Sequence, residues 1–174
     1  MFGNAMNATG TQKSTIDPRE LRRALGCFPT GVAIVTTLGS EGAPIGLTVS
    51  SFNSVSVDPP LILWSLTTRA SSLSSFKAHG AFAVNVLAAE QEPLCRHFST
   101  ATGDRFAGID WRPGIDGIPV LDGAVAVFEC RNWAVYPGGD HEIFLGRVER
   151  YDHWDTTPLV FGKGRLSALA PALN

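Results

Sequence analysis

Charge is scarce in this sequence of 174 residues: charged side chains make up 17% of it, and the formal net charge at pH 7 is −2. Proteins that bind nucleic-acid phosphates or anionic membrane surfaces carry a clear excess of positive charge. We therefore expect no nucleic-acid partner and no membrane surface. No run of 18 apolar residues occurs either, so no membrane-spanning helix is expected.

Cysteine is also scarce, and its positions suit neither disulfides nor metals. Cys27, Cys95 and Cys130 are odd in number and widely spaced, with no CxxC and no metal-like Cys/His spacing. We expect reduced core thiols in a cytoplasmic protein, without a metal. Residues 1–15 are small and polar and lack the features of a signal peptide, so we expect a disordered tail before one domain at 16–170.

Several catalytic signatures are missing. No GxGxxG follows a predicted strand, and GxxxxGK[ST], HExxH and GxSxG do not occur. His79 and His97 lie at predicted helix ends, and His153 lies between two polar or amphipathic neighbours, so structural or surface roles are expected for them. A hydrolase built on a nucleophile and a base finds few candidates here.

The first predicted elements are a helix and a β-hairpin. Asp17 is the expected N-cap, Pro18 takes the first helical position, and Leu21, Leu25 and Phe28 follow at helical spacing. The first hairpin strand is predicted at about 32–38, with "GSEGAP" as the turn.

The second hairpin strand is predicted within "GLTVSSFNSVSVDPP", residues 46–60. Leu47, Val49, Val55 and Val57 share one parity and are expected to face a core. The other face carries Thr48, Ser50, Phe52, Ser54 and Ser56. Two prolines at 59 and 60 then end the strand.

The rest of the chain continues in short strands and helices. "LILWSL" suits a strand buried on both faces, and a short helix follows it, capped by Ser71 or Ser72 and closed by Gly80. Next come a strand in "AFAVNVL", helix in "AAEQEPLCRHFS", a glycine-rich loop without a clear period, and three strands in "VAVFECRNWAVYP", "HEIFLGRVERYDH" and "PLVFGKGRL". About seven strands and two or three helices predict a small antiparallel barrel with helices packed outside.

Four segments together resemble one family: "FPTGVAIVTT", "GLTVSSFNSVSVDPPLILWSL", "FAVNVLAAEQEPLCRHFS" and "GGDHEIFLGRVERYDH". In order and spacing, over about residues 19–166, they resemble the flavin reductase family of the FMN-binding split-barrel superfamily. The resemblance implies a mainly β, Greek-key-like antiparallel split barrel with peripheral α-helices. It also implies an NAD(P)H-dependent oxidoreductase that transfers hydride to FMN or FAD. Reduced flavin then passes by diffusion to a separate flavin-dependent monooxygenase.

The resemblance also implies a site. The strand beginning at Gly46 and the loops beside it would cup the flavin, with Thr48 among short hydroxyl donors at its rim. Arg69 would bind the phosphate, and His141 would lie at the nicotinamide side, although a structural role bonded to Asp140 or a turn carbonyl is the alternative. Phe28 would join the wall where the first helix meets the barrel. The residues expected to bind the cofactor are Pro29, Thr30, Gly31, Val32, Gly46, Thr48, Val49, Ser50, Ser51, Ser65, Arg69, Ser71, Ser72, Phe98, Ser99 and Arg105.

Some alternatives stay open at this point. FMN is not separated from FAD, and NADH is favoured over NADPH only because no arginine-rich pocket for a 2′-phosphate is recognisable. An electron-transfer flavoprotein that holds FMN in the same fold, or a non-enzymatic ligand-binding barrel, would share the pattern. The resemblance implies a homodimer in which both chains border each flavin. Trp64, Trp111 and Trp133 suit either an interface or the core.

Overall fold

A computed structural model describes residues 16–100 and 103–170; the predicted tail at 1–15 lies outside them. Its helices are α1 (Pro18–Leu25), α2 (Leu73–His79) and α3 (Glu92–Thr100). Its strands are β1 (Thr30–Gly31), β2 (Ala33–Leu38), β3 (Pro44–Val49), β4 (Asn53–Val57), β5 (Pro60–Thr67), β6 (Ala81–Val86), β7 (Trp111–Pro113), β8 (Pro119–Leu121), β9 (Ala126–Gly138), β10 (His141–His153), β11 (Leu159–Gly162) and β12 (Arg165–Ala168). No described helix is both long enough and apolar enough to cross a bilayer.

The main sheet has seven antiparallel strands in the order β3-β2-β6-β9-β10-β5-β4. β3 and β4 therefore form its two edges, although only residues 50–52 separate them along the chain. Laid flat, seven strands would hold the edges roughly 29 Å apart. The chain from Val49 to Asn53 reaches about 14 Å at most. The sheet must therefore curl until its edges approach each other, which makes the barrel.

This curl corrects one prediction, because the single strand expected from residue 46 to Val57 is in fact two strands. Val49 is buried in β3 as expected, but Val55 and Val57 in β4 are 47% and 93% exposed. Residues at every second position share one face of a sheet only within a single uninterrupted strand. Here the chain bends at 50–52, and the β4 register shifts again between Ser54 and Ser56.

The barrel interior is an aromatic cluster. Trp64 stacks on Phe144 with ring centroids 4.7 Å apart and meets Phe76 edge-on at 4.9 Å, which is a favourable ring geometry. Trp64 is fully buried, so it belongs to the core and not to an interface. β5 buries Ile62, Trp64 and Leu66 while the alternate residues stay partly exposed, so the expectation of two buried faces was wrong.

Helix α1 begins as predicted but packs differently. The Asp17 carboxylate accepts a hydrogen bond from the Arg19 backbone N–H at 2.8 Å, and Pro18 opens the helix. The helix ends at Leu25, and none of its residues is buried. Cys27, just beyond it, is exposed, which corrects the prediction of three core thiols.

The other two thiols, of Cys95 and Cys130, are buried, and burial raises the pKa of both.

The later helices form within their predicted segments, although α3 begins only at Glu92. Ser72 stands at the N-cap of α2, although its hydroxyl makes no capping bond, and Gly80 closes the helix with a φ of 79°. A 3-10 turn at Ala89–Gln91 leads into α3, as the helical pattern indicated. The last predicted strand is a hairpin of two, β11 and β12.

The segment expected as an irregular loop holds a small hairpin, β7–β8, fixed by buried polar groups. The Asn85 amide donates to the Ile34 carbonyl at 3.0 Å, and its oxygen accepts the Leu121 N–H at 2.9 Å. The buried Glu129 carboxylate accepts the Ile115 N–H at 2.7 Å. Because buried polar groups are costly when left unpaired, these bonds hold the segment against the sheet.

Candidate functional site

Two cavities flank β3, the edge strand of the barrel. The first, of about 470 Å³, lies between β3, α3 and the β11–β12 hairpin, and it is lined by Val32, Thr48, Val49, Ser50, Cys95, Arg96, Ser99, Thr100, Phe161 and Leu166. The second, of about 640 Å³, is lined by Ala43, Pro44, Ile45, Gly46, Ser71, Ser72, Gly103, Asp104 and Arg105. Both volumes lie within the range of small-molecule sites.

The structure distributes the predicted site residues over both cavities. The first cavity brings together Val32, Thr48, Val49, Ser50 and Ser99. The second brings together Gly46, Ser71, Ser72 and Arg105. Those that line neither are Pro29, Thr30, Gly31, Ser51, Ser65, Arg69, Phe98 and His141.

Gly46 and Phe98 form a packing unit between the cavities. Phe98 is buried and meets Phe106 edge-on with ring centroids 5.1 Å apart. A Cβ added to Gly46 would lie 2.6 Å from Phe98 Cε1, closer than atoms can pack. The missing side chain at Gly46 thus makes room for Phe98. Phe98 has a packing role beneath β3.

The hydroxyls of the first cavity face it mainly as acceptors. Thr48 Oγ1 and Ser99 Oγ both donate to the Cys95 carbonyl, at 2.9 and 2.7 Å, and Thr100 Oγ1 donates to the Arg96 carbonyl at 2.8 Å. A hydroxyl has one proton and two lone pairs, so a hydroxyl with its proton engaged can only accept. The prediction that Thr48 is a donor is therefore corrected.

Ser51, also expected to be a donor to the ligand, instead closes the barrel. Its Oγ accepts the Ser65 N–H at 2.9 Å and donates to the Ser65 carbonyl at 3.2 Å. β4 pairs Asn53 with Leu63, so the next rung of the ladder would join Ser51 to Ser65. The side chain thus replaces that rung where the backbone bends away toward β3.

The outer side of β3 offers backbone groups to a ligand. The Gly46 carbonyl points outward, because it accepts Arg105 Nη1 at 3.1 Å, and β3 pairs only with β2 among the described strands. Antiparallel strands alternate their hydrogen-bonding direction every second residue. The N–H and C=O groups of Thr48 therefore share this outward direction, toward the first cavity.

Sequence reasoning missed Arg96 and the residues opposite it. Arg96 Nε and Nη2 both donate to Glu92 Oε1, at 3.0 and 2.6 Å. An acidic and a basic residue four positions apart on a helix usually form a solvated surface pair, so the spacing gave no signal. Phe161 and Leu166 were missed because two short strands were predicted as one.

Strand β1, the residue before it and strand β11 form the wall beside the first cavity. Thr30 pairs with Phe161 and Gly31 with Val160, and Pro29 lies against Gly162. Phe28 is 76% exposed and stands outside this wall. Thr30 Oγ1 is buried with no hydrogen-bond partner in the described part of the chain.

His141 and Arg69 both lie near Asp140, at the turn between β9 and β10. His141 Nδ1 lies 2.7 Å from Asp140 Oδ1, and this hydrogen bond, together with the charges of His141 and Arg69, lowers the pKa of Asp140. The Asp140 carbonyl accepts the Thr68 N–H at 2.9 Å, which ties the turn to the loop that carries Arg69.

The other histidines lie where the sequence indicated. His79 Nδ1 is 3.2 Å from the Ala81 carbonyl, and His97 Nε2 is 2.8 Å from the Arg105 carbonyl, so both fix local backbone. His153 is exposed.

Comparison with known proteins gives one consistent family. The profile of the flavin reductase like domain matches residues 25–170. The chain is 47% identical over 146 residues to the FMN reductase (NADH) SmoA of Agrobacterium fabrum, covering 84% of this chain and 83% of the relative. It is 40% identical over 157 residues to HsaB, the reductase subunit of a flavin-dependent monooxygenase from Rhodococcus jostii, covering 90% and 80%.

A solved structure agrees in fold. It is an NADH:FAD oxidoreductase of Streptomyces globisporus in complex with NAD and FAD fragments, 42% identical, with a TM-score of 0.85 over 93% of this chain and 100% of the other. This likeness, together with the antiparallel curled sheet, confirms the predicted mainly β split-barrel fold class.

The contacts of Ser51 generate a first prediction. Ser51→Ala should lower the free energy of unfolding by about 1–2 kcal/mol, because the partly buried Ser65 N–H and C=O lose their partner. Urea unfolding followed by circular dichroism measures this difference. The exposed neighbour provides a matched control, since Ser50→Ala should change stability by less than about 0.5 kcal/mol. Equal stability of the two variants would contradict the closing role of Ser51.

Proposed function

The chain belongs to the flavin reductase family, and from this premise we propose that it oxidises NADH and transfers the hydride to FMN or FAD. The observation that carries the proposal is the first cavity, which lies along the open edge of β3 within the matched domain. The relatives named FMN reductase (NADH) and NADH:FAD oxidoreductase support both flavins and NADH. A reductase subunit among the relatives supports delivery of reduced flavin to a separate monooxygenase.

The residues of the first cavity fit an isoalloxazine ring. Val32, Val49, Phe161 and Leu166 give apolar walls of the kind that flat ring systems pack against. The pyrimidine end of the ring carries an N–H donor between two carbonyl acceptors. The Thr48 hydroxyl, with its own proton engaged, can accept that N–H. The outward backbone N–H of Thr48 can donate to one of the carbonyls.

The chain contributes position and environment, not covalent chemistry. A bound flavin would supply the hydride acceptor, so no protein nucleophile is required. The apolar walls exclude water from one face of the ring, and the β3 backbone fixes its edge. Holding two rings at reactive distance supplies much of the acceleration in such a reaction. The absence of catalytic triads and zinc motifs in the sequence agrees with this division of labour.

The test of the proposed function is steady-state oxidation of NADH and NADPH with FMN, FAD and riboflavin, each varied in turn. We expect rapid NADH oxidation that reduces many equivalents of free flavin per chain. Reduction limited to one bound equivalent would instead favour the electron-transfer flavoprotein. If neither dinucleotide is oxidised with any of the three flavins, the proposal is overturned. The ligand-binding barrel would then be the better description of the chain.

Arg69 is proposed to bind the flavin phosphate together with the two serines of the second cavity. The support is its exposed side chain and its position two residues before Ser71, which lines that cavity with Ser72 and Arg105. Arg69→Ala should weaken FMN and FAD binding about tenfold to a hundredfold, because a charge-assisted contact to phosphate is lost. Riboflavin has no phosphate and should bind unchanged.

Fluorescence titration of the three flavins measures these affinities. Arg19→Ala, which removes an equally exposed arginine from α1, is the control for net charge. A loss of riboflavin affinity equal to that of FMN would show that Arg69 acts through the fold and would contradict the phosphate role.

His141 is proposed to contact the nicotinamide. Its support is an exposed ring at the end of β10, held by Asp140. His141→Ala should lower kcat/KM for NADH about fivefold to thirtyfold while flavin affinity stays unchanged, because one positioning contact is lost. Stopped-flow and steady-state kinetics provide the measurement. Unchanged kinetics with a lower melting temperature, repeated in Asp140→Asn, would mark the pair as structural.

We also propose a homodimer, formed through a partly exposed apolar face of the main sheet. Residues directly opposite in a ladder share a face. Leu63 pairs with Leu145, and Ile143 pairs with Tyr136, so these four lie on the outer face of β5, β10 and β9. Such patches mark interfaces. Ser65 lies opposite Ile143 on the same face, which supports a site that a second copy borders.

Light scattering at micromolar concentration should give the mass of two chains. Leu145→Asp places a charge in the middle of the proposed interface and should give one chain's mass with unchanged circular dichroism. A monomer mass for the unaltered chain would overturn the dimer. Trp133, 53% exposed, remains available to this interface.

A further inference from the structure

Arg96 differs in charge from the other described residues that line the first cavity. It is the one charged side chain among the described residues that line this cavity. Its carbon chain leaves α3 at the same helical turn as Ser99 and Thr100, and its side chain is 68% exposed, at the cavity mouth. Neither the phosphate role of Arg69 nor the nicotinamide role of His141 uses it.

Three of the hydroxyls that line the cavity are unfavourable to an anion. Thr48, Ser99 and Thr100 have engaged their hydroxyl protons with backbone carbonyls, so they turn oxygen lone pairs toward the cavity. Cys95 adds no charge of its own, since burial raises the pKa of its thiol. Negative charge arising on a bound ring would meet these acceptors, and Arg96 is the positively charged group among the described lining residues that can compensate it.

The ion pair with Glu92 uses only some of the hydrogen-bond donors of Arg96. Its Nε and Nη2 both donate to the single oxygen Glu92 Oε1, at 3.0 and 2.6 Å. A guanidinium has five N–H donors, so three remain outside this ion pair, including both on Nη1. Glu92 is itself 40% exposed, and exposed ion pairs are weak enough for a ligand to compete with them.

We propose that Arg96 stabilises the negative charge that the isoalloxazine ring carries near N1 and the C2 carbonyl after it is reduced, and that Glu92 limits this stabilisation by competing for the same guanidinium. The inference rests on the proposed function and deepens it. Arg96 distinguishes the oxidation state of the flavin, whereas the proposed role of Arg69 concerns its phosphate. A product that must leave cannot be held too tightly, and the carboxylate of Glu92 sets that balance.

The test compares binding of oxidised and chemically reduced FMN and riboflavin under anaerobic conditions. Arg96→Gln should weaken the affinity for reduced flavin about tenfold, the usual scale of one charge-assisted contact, and should leave oxidised flavin within about twofold. For a two-electron couple this lowers the midpoint potential of the bound flavin by about 30 mV. FMN and riboflavin should respond equally.

Glu92→Gln should act in the opposite direction, strengthening the affinity for reduced flavin about twofold to fivefold, the scale of an exposed ion pair. The double variant should bind both flavin states as Arg96→Gln does, because Glu92 is proposed to affect flavin affinity only through its ion pair with Arg96. The matched controls are Glu20→Gln and Arg23→Gln, which break the exposed pair on α1, where the ion pair is 2.6 Å long and lines neither cavity. Both controls should leave binding unchanged.

The outcomes separate the inference from the function on which it rests. A loss confined to FMN and absent with riboflavin would make Arg96 a phosphate ligand and overturn the inference. A change in the NADH KM with unchanged affinity for either flavin state would move Arg96 to the nicotinamide and overturn it as well. In both cases the reductase activity stands. Failure of the unaltered chain to bind any flavin would overturn the proposed function together with the inference.

Discussion

The closure of the seven-stranded sheet is the constraint on which the rest of this structure depends. Only three residues join its two edge strands, and because this connection is short, the sheet must curl. Curling directs the aromatic side chains of β5 and β10 inward, where Trp64 and Phe144 stack. It also leaves a seam, which is the gap between the edge strands β3 and β4. There the Ser51 side chain makes the hydrogen bonds to Ser65 that its backbone does not make.

The seam explains why the cavities lie where they do. An edge strand has one row of backbone groups without a strand partner, and proteins usually cover such an edge. Here α3 and the β11–β12 hairpin cover β3 only in part, and the gap between them is the first cavity. The fold thus offers a ligand both apolar walls and backbone hydrogen bonds without any dedicated binding domain. Chemistry performed by a bound cofactor needs little more from the chain.

Local signals in the sequence predicted the local structure well. Asp17 and Pro18 fix the start of α1, and Gly80 closes α2, because capping depends on a few neighbouring residues. The resemblance to a family supplied the fold class.

What the sequence could not predict were properties set by distant contacts. Ser50 and Ser51 are adjacent and identical, yet only one of them meets Ser65 across the barrel seam. The direction of the Thr48 hydroxyl depends on the Cys95 carbonyl, 47 residues away. Arg96 is indistinguishable from a surface arginine until α3 is placed against β3. Likewise the β7–β8 segment lacks a period, because buried polar groups from other strands hold it in place.

The contact between Gly46 and the Phe98 ring has an evolutionary consequence. Position 46 cannot gain a methyl group while position 98 keeps an aromatic ring, and Phe106 closes the remaining space at 3.2 Å from the same point. Substitutions at the three positions are therefore coupled: a larger side chain at position 46 requires the ring at position 98 to shift or to become smaller. A change of ligand preference along β3 is easier at Thr48, whose side chain is not part of this packing unit.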